Sequence, residues 1–240
     1  MKDSKVFFIT VIVITMAIFI SLKPRQQTVI QPLILTAEEN FSEVSLKIPA
    51  VDNEGNGVST LLTVGIKPGS GRALVDINQL LFWVDTQYSI QVAKKVAEKI
   101  TNANLSRVDL LYRIETNASV IEGPSAGAAL TVATVALVEG RKVNESVVIT
   151  GTINPDGTIG PVGGIIPKAK AAKEGGATLF LVPSGQSVQS TYKPIQTCEK
   201  IAGWTVCRTE YKREATRVSD VDIDVREVSS IEEALKYFLI

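Results

Sequence analysis

Val6 to Leu22 carries no charge, offers only hydroxyls as polar groups, and is bracketed by Lys5 and Lys23. As a helix these seventeen residues reach roughly 25 Å, near the shortest length that crosses a bilayer. An uncleaved signal-anchor is the favoured reading. A cleaved signal peptide and a buried core helix are its competitors. Against cleavage, Ala17 and Ser21 are the only small residues near the end of the run, and they do not form an Ala-x-Ala-like pair. The expectation is a single-pass segment over residues 1–25 and one domain over 26–240.

Orientation is less constrained. Lys2 and Lys5 precede the run and Lys23 and Arg25 follow it, so the flanking charges decide little. Cys198 and Cys207 are the only cysteines, close together in CEKIAGWTVC, which suits a disulfide-closed hairpin. Asn40, Asn104, Asn117 and Asn144 each begin an Asn-x-Ser sequon. Both signals favour an extracytoplasmic domain.

Composition then removes whole classes of chemistry. The 25 basic and 25 acidic residues cancel, which argues against a nucleic-acid partner. There is no histidine, so no Ser-His-Asp triad, no Cys-His dyad and no histidine-ligated metal. Two cysteines do not make a four-thiolate zinc site, and no metal or cofactor is expected. An enzyme here must work with Ser, Thr, Lys, Asp, Glu, Arg or Tyr.

Residues 26–240 alternate strand and helix signals. Alternation and β-branched content predict strands over Val29–Leu35, Val44–Ile48, Leu61–Ile66, Ala73–Ile77, Val108–Ile114, Val147–Thr150 and Thr178–Val182. A helix from Asp85 or Thr86 to Ile100 places Val92, Val96 and Ile100 on one face. Further helices are expected over Ser125–Glu139, Pro167–Glu174 and Ile231–Phe238, the last capped by Ser230. The cysteine segment reads as a hairpin inserted before the final elements.

The chemistry concentrates between Ile121 and Gly176. Gly123-Pro-Ser-Ala-Gly127 has the Gly-x-Ser-x-Gly form of an esterase elbow, but that elbow needs a histidine base. Ser125 instead stands where a helix begins, beside backbone N–H groups of Gly123, Ser125 and Ala126 that are suited to an oxyanion. The competing reading is a simple helix cap. A base must then come from lysine or a carboxylate. Lys168 is singled out because Ala171 and Ala172 flank it at i+3 and i+4, whereas Lys170 shares a face with Lys173 and Glu174. Burial and the helix dipole would both disfavour its ammonium form.

EGPSAGAALTVATVALVEG, VVITG and IGPVGGIIPKAKAAKEGGATLFLVP, in this order over most of 121–183, resemble the proteolytic domain of the Lon proteases. That resemblance implies an α+β fold of mixed sheets with helices and a Ser-Lys dyad, with Ser125 as nucleophile and Lys168 as general base. It implies that Thr150 helps to hold the lysine and that Glu122 orients it or occupies the empty site. It also implies protein or peptide substrates and a homo-oligomeric ring, often of six subunits. The family's usual phosphate-binding loop is missing, Thr152 stands where many relatives have glutamate, and 198–207 looks like an addition. The expected function is an ATP-independent serine endopeptidase acting on unfolded or flexible segments. The alternatives are a peptidase subunit that docks on a separate ATPase and a non-proteolytic scaffold or binding module.

Overall fold

The computed structural model describes residues 41–77, 84–116 and 123–240. The apolar run at 6–22, the strand expected at Val29–Leu35 and Glu122 all lie outside them. Among the described residues no helix is long and apolar enough to cross a membrane.

Strand β1 (Ser42–Val51) turns back into β2 (Gly57–Pro68), in antiparallel register from Ser42 opposite Ile66 to Val51 opposite Gly57. Asp52 closes the turn: its Oδ1 accepts from the N–H groups of Glu54 and Asn56 at 2.9 and 2.8 Å. β3 (Ala73–Val75) lies parallel to β4 (Val108–Glu115), which pairs with β2, so the sheet runs β1-β2-β4-β3. Alternation sends Leu46, Ile48, Leu62, Val64, Leu110, Tyr112 and Ile114 into the core.

Helix α1 (Val84–Thr101) and α2 (Gly127–Glu139) cover that sheet. Every residue of α2 from Gly127 to Leu137 is buried. A helix apolar all round stays soluble only when packed on all sides, and the sheet, α1 and the C-terminal α4 (Ile231–Phe238) supply those surfaces. Its two buried polar side chains bond to the helix backbone: Thr131 donates to the Gly127 carbonyl and Thr134 to that of Leu130, at 2.8 and 2.7 Å. Gly140, with φ +63°, ends the helix in the left-handed region.

A second, parallel sheet has the order β11-β8-β5, from β5 (Val147–Ile149), β8 (Leu179–Pro183) and β11 (Asp224–Val228). Helix α3 (Ile165–Glu174) packs against it through a smaller core of Ile165, Ala169, Ala172, Phe180 and Val182. The short pair β6 (Thr152–Ile153) and β7 (Ile159–Gly160) flanks the turn at Asn154–Gly157. Together these form a mixed α/β domain consistent with the α+β expectation.

Three expectations need correction. Ser125 does not begin an α-helix: Pro124–Ala126 is one 3-10 turn, with Gly127 N–H bonded to the Pro124 carbonyl, and α2 starts at Gly127. Helix α3 begins two residues before Pro167, because Gly164 at φ +67° redirects the chain there. The cysteine segment is far longer than a small hairpin. β9 (Val188–Ile201) and β10 (Trp204–Arg217) make a fourteen-rung antiparallel ribbon around the turn Ala202-Gly203, both of whose φ values are positive. Cys198 and Cys207 face one another in it, disulfide-bonded, with Cα atoms 4.0 Å apart.

Candidate active site

Gly123 takes φ +94° and ψ 165°, a conformation closed to side-chain-bearing residues, and so aims the chain into the turn that carries Ser125. Gly127 follows because the start of α2 lies against β6: a Cβ there would sit 2.7 Å from Cγ2 of Ile153. The segment after β5 is then bonded onto this turn. Gly151 N–H donates to the Ser125 carbonyl, and Ala128 N–H to the Gly151 carbonyl, both at 3.0 Å. Thr150, fully buried, donates its hydroxyl to the same Ser125 carbonyl at 3.4 Å.

Lys168 arrives from α3. Its N–H makes the first helical bond, to the Gly164 carbonyl at 3.0 Å. The side chain is only 4% exposed, and Ala169, Ala171 and Ala172 beside it are buried. Lys170, two residues on, is exposed. Nζ of Lys168 donates to Oγ1 of Thr150 at 3.4 Å. Burial pulls the ammonium down from its ordinary 10.5 to about 8, since a charge is poorly solvated in this apolar wall. The helix is held close to the first sheet at Gly57, where a Cβ would come within 1.9 Å of the Pro167 carbonyl oxygen.

Ser125, Lys168 and Gly123 line one cavity of about 450 Å³, with Thr150 buried behind them. Ala126 is not on its wall and packs against the main core instead. Glu122 lies outside the described residues, and the two cysteines lie on the ribbon.

Local pattern did not mark β1 as part of the cavity, whereas Thr152 and the Pro161–Gly164 segment fall within or beside the motifs already singled out. Ala50 and Val51 come from the end of β1, and Pro161 to Gly164 form the opposite rim. Gln186 fixes that rim as a strand partner would: its Oε1 accepts from Val162 N–H at 2.9 Å and its Nε2 donates to the Val162 carbonyl at 2.8 Å. Nothing in the order of residues marks Gln186, because the bonds join loops 24 residues apart.

The geometry therefore places a hydroxyl and a buried amine that is readily made neutral on one cavity, next to the first turn of a buried helix. A hydroxyl gains nucleophilicity when such an amine takes its proton.

Comparison with known proteins gives a family match over residues 84–203, to the Lon protease C-terminal proteolytic domain. Lon protease 2 of Bacillus subtilis is 38% identical over 82 residues, 34% of this chain and 15% of that protein. The Lon protease of Paraburkholderia phytofirmans is 35% identical over 121 residues, 49% of this chain and 15% of its own. The archaeal Lon protease of Thermoplasma volcanium is 33% identical over 88 residues, 37% of this chain and 13% of that protein. The chain thus spans only about a seventh of the length of these relatives.

Proposed function

Since the chain belongs to the family of Lon protease C-terminal proteolytic domains, we propose that it is a serine-type endopeptidase using a Ser125–Lys168 dyad. Ser125 Oγ attacks the scissile carbonyl while neutral Lys168 takes its proton. Lys168 then returns that proton to the leaving amine, and water releases the acyl group from Ser125. Thr150 steers Nζ. Backbone N–H groups of Gly123 and Ser125, which line the cavity, receive the oxyanion, because the first N–H groups of a helical turn lack partners within it.

One observation carries this reading: Lys168 is buried on the same cavity as Ser125, its Nζ held by a threonine that also bonds the Ser125 carbonyl. A solvated surface lysine would have neither feature. No step requires a metal or cofactor.

The finer proposal is that these residues cleave unfolded or flexible polypeptides without ATP, since the 240 residues contain no Gly-x-x-x-x-Gly-Lys-Ser/Thr loop. Residues 6–22 would anchor the chain in a membrane, with the domain outside, a placement that the Cys198–Cys207 bond supports. Assembly into a homo-oligomeric ring goes with the family.

The test is covalent labelling of the full chain by a serine-directed fluorophosphonate. Ser125 is expected to take the label, and Lys168→Ala to lose it. Labelling of another serine, or equal labelling of Lys168→Ala, would overturn the dyad. Casein cleavage by the purified chain should proceed without ATP, and stimulation by added ATP would refute the independence.

A further inference from the structure

The β9–β10 ribbon stands apart from both cores. Along β10 every residue but Thr216 is exposed. Among the described residues no third strand flanks either side, so two edges roughly 45 Å long offer unpaired backbone groups. Natural sheets normally cover such edges or blunt them with charge and proline; β9 carries Pro194, which leaves the β10 edge as the one free of proline, and the ribbon also adds large apolar side chains. Tyr192 and Tyr211 are exposed on the face that carries the disulfide, and Ile195, Ile201, Trp204 and Val206 are exposed on the other. Trp204 and Tyr211 are 77% and 68% exposed. The ribbon also holds six cationic side chains against three glutamates, in a chain whose formal net charge is zero.

Its root is tied to the cavity. Gln189 Nε2 donates to the Gln186 carbonyl at 3.0 Å, and the Gln186 side chain clamps Val162 on the cavity rim. Glu227 accepts from the N–H groups of Gly185 and Ser187, both at 2.9 Å, and Val218 N–H closes the base onto the Ser187 carbonyl. The ribbon thus starts at a fixed place beside the Ser125–Lys168 cavity.

We propose that the ribbon is a capture surface for extended polypeptide segments rich in acidic and apolar residues, which add to an open edge as a further strand. Main-chain hydrogen bonds would give affinity largely independent of sequence, and the aromatic and cationic side chains would set the preference. This rests on the peptidase reading, since it names the substrate that the site receives. A second copy of the ribbon is a poorer occupant, because it would set one positive surplus against another. A lipid surface is poorer too. Apolar side chains run from Tyr192 near the root to Trp204 at the tip, which suits a ligand of strand length more than one met only by the tip.

The experiment uses the full chain carrying Ser125→Ala, so that binding is read without cleavage. The probe is fluorescently labelled, reduced casein, an unfolded acidic protein, followed by anisotropy. The double variants Trp204→Thr/Tyr211→Thr and Lys212→Glu/Arg213→Glu should each weaken casein binding by about tenfold or more, with unchanged thermal midpoints. The affinity of the parent should fall as salt rises. Unchanged casein affinity in both variants would overturn the proposal. So would loss of self-association in sedimentation, or loss of phosphatidylserine-vesicle binding, with casein affinity retained. If fluorophosphonate labelling of Ser125 fails while casein binding still depends on the ribbon, the peptidase reading falls and the capture surface stands.

Discussion

Replacing Lys168 by methionine should destroy activity and stabilise the fold at the same time. The buried ammonium titrates at about 8 against an ordinary 10.5. At about 1.4 kcal/mol per pKa unit, burial disfavours its charged form by roughly 3 kcal/mol. The sign follows from proton binding. Between about pH 8 and 10.5 the unfolded chain holds this proton and the folded chain does not, so stability rises with pH across that window. Above it the penalty is absent, and below about 8 it is fully present. Methionine is similar in length and carries no charge, so at pH 7 Lys168→Met should gain up to about 3 kcal/mol. For a domain of this size that is roughly 6–12 °C in thermal midpoint. Calorimetry at pH 7 and pH 10.5 provides the assay, with the gain shrinking toward zero at the higher pH. The same titration sets the rate. With a value near 8, only about a tenth of Lys168 is neutral at pH 7 and about nine-tenths at pH 9. Peptide kcat/KM should therefore climb about tenfold over those two units and then level off. A lysine at its ordinary value would give about a hundredfold rise over the same units with no plateau. A lower thermal midpoint for Lys168→Met at pH 7, or a rate independent of pH from 7 to 9, would refute the reasoning.

Thr150→Val removes the hydroxyl that joins Nζ to the Ser125 carbonyl, and kcat should drop by about ten- to a hundredfold, the worth of one hydrogen bond to a chargeable group; unchanged kcat in steady-state peptide cleavage would free Thr150 of that role. Gly57→Ala forces a methyl into the Pro167 carbonyl and should lower stability by about 1–3 kcal/mol in denaturant titration, because α3 must move away from β2. Cys198→Ser/Cys207→Ser opens a loop of nine residues' separation, worth roughly 2–3 kcal/mol by the chain-entropy argument. With the ribbon so little packed on the body, that loss should appear as new tryptic cleavage at Lys200 and Arg208, with the main thermal transition unmoved.

Local pattern determined much of this protein. The alternation in β1, β2 and β4, the helical spacing in α1 and the glycine after α2 are each written within ten or so residues, and the elements formed close to where they were expected. Ser125 and Lys168 were legible for a similar reason: each sits in a short motif whose glycines and alanines declare close packing. Lys168 could even be separated from Lys170, because one turn of helix gives the two lysines different neighbours. What sequence did not carry was anything made between distant segments. The 3-10 turn at Ser125 depends on bonds from Thr150 and Gly151, and the early start of α3 on a left-handed glycine packed near Val51. The cavity wall from β1 and the clamp of Gln186 on Val162 join segments that no local periodicity relates. The ribbon's length was missed because its strands do not alternate: with no buried face to fill, apolar residues fall on both faces and at uneven spacing, so no period of two is written. Whether Lys168 is solvated or dry is likewise a property of what surrounds it, and only the packing of α3 against both sheets decided that.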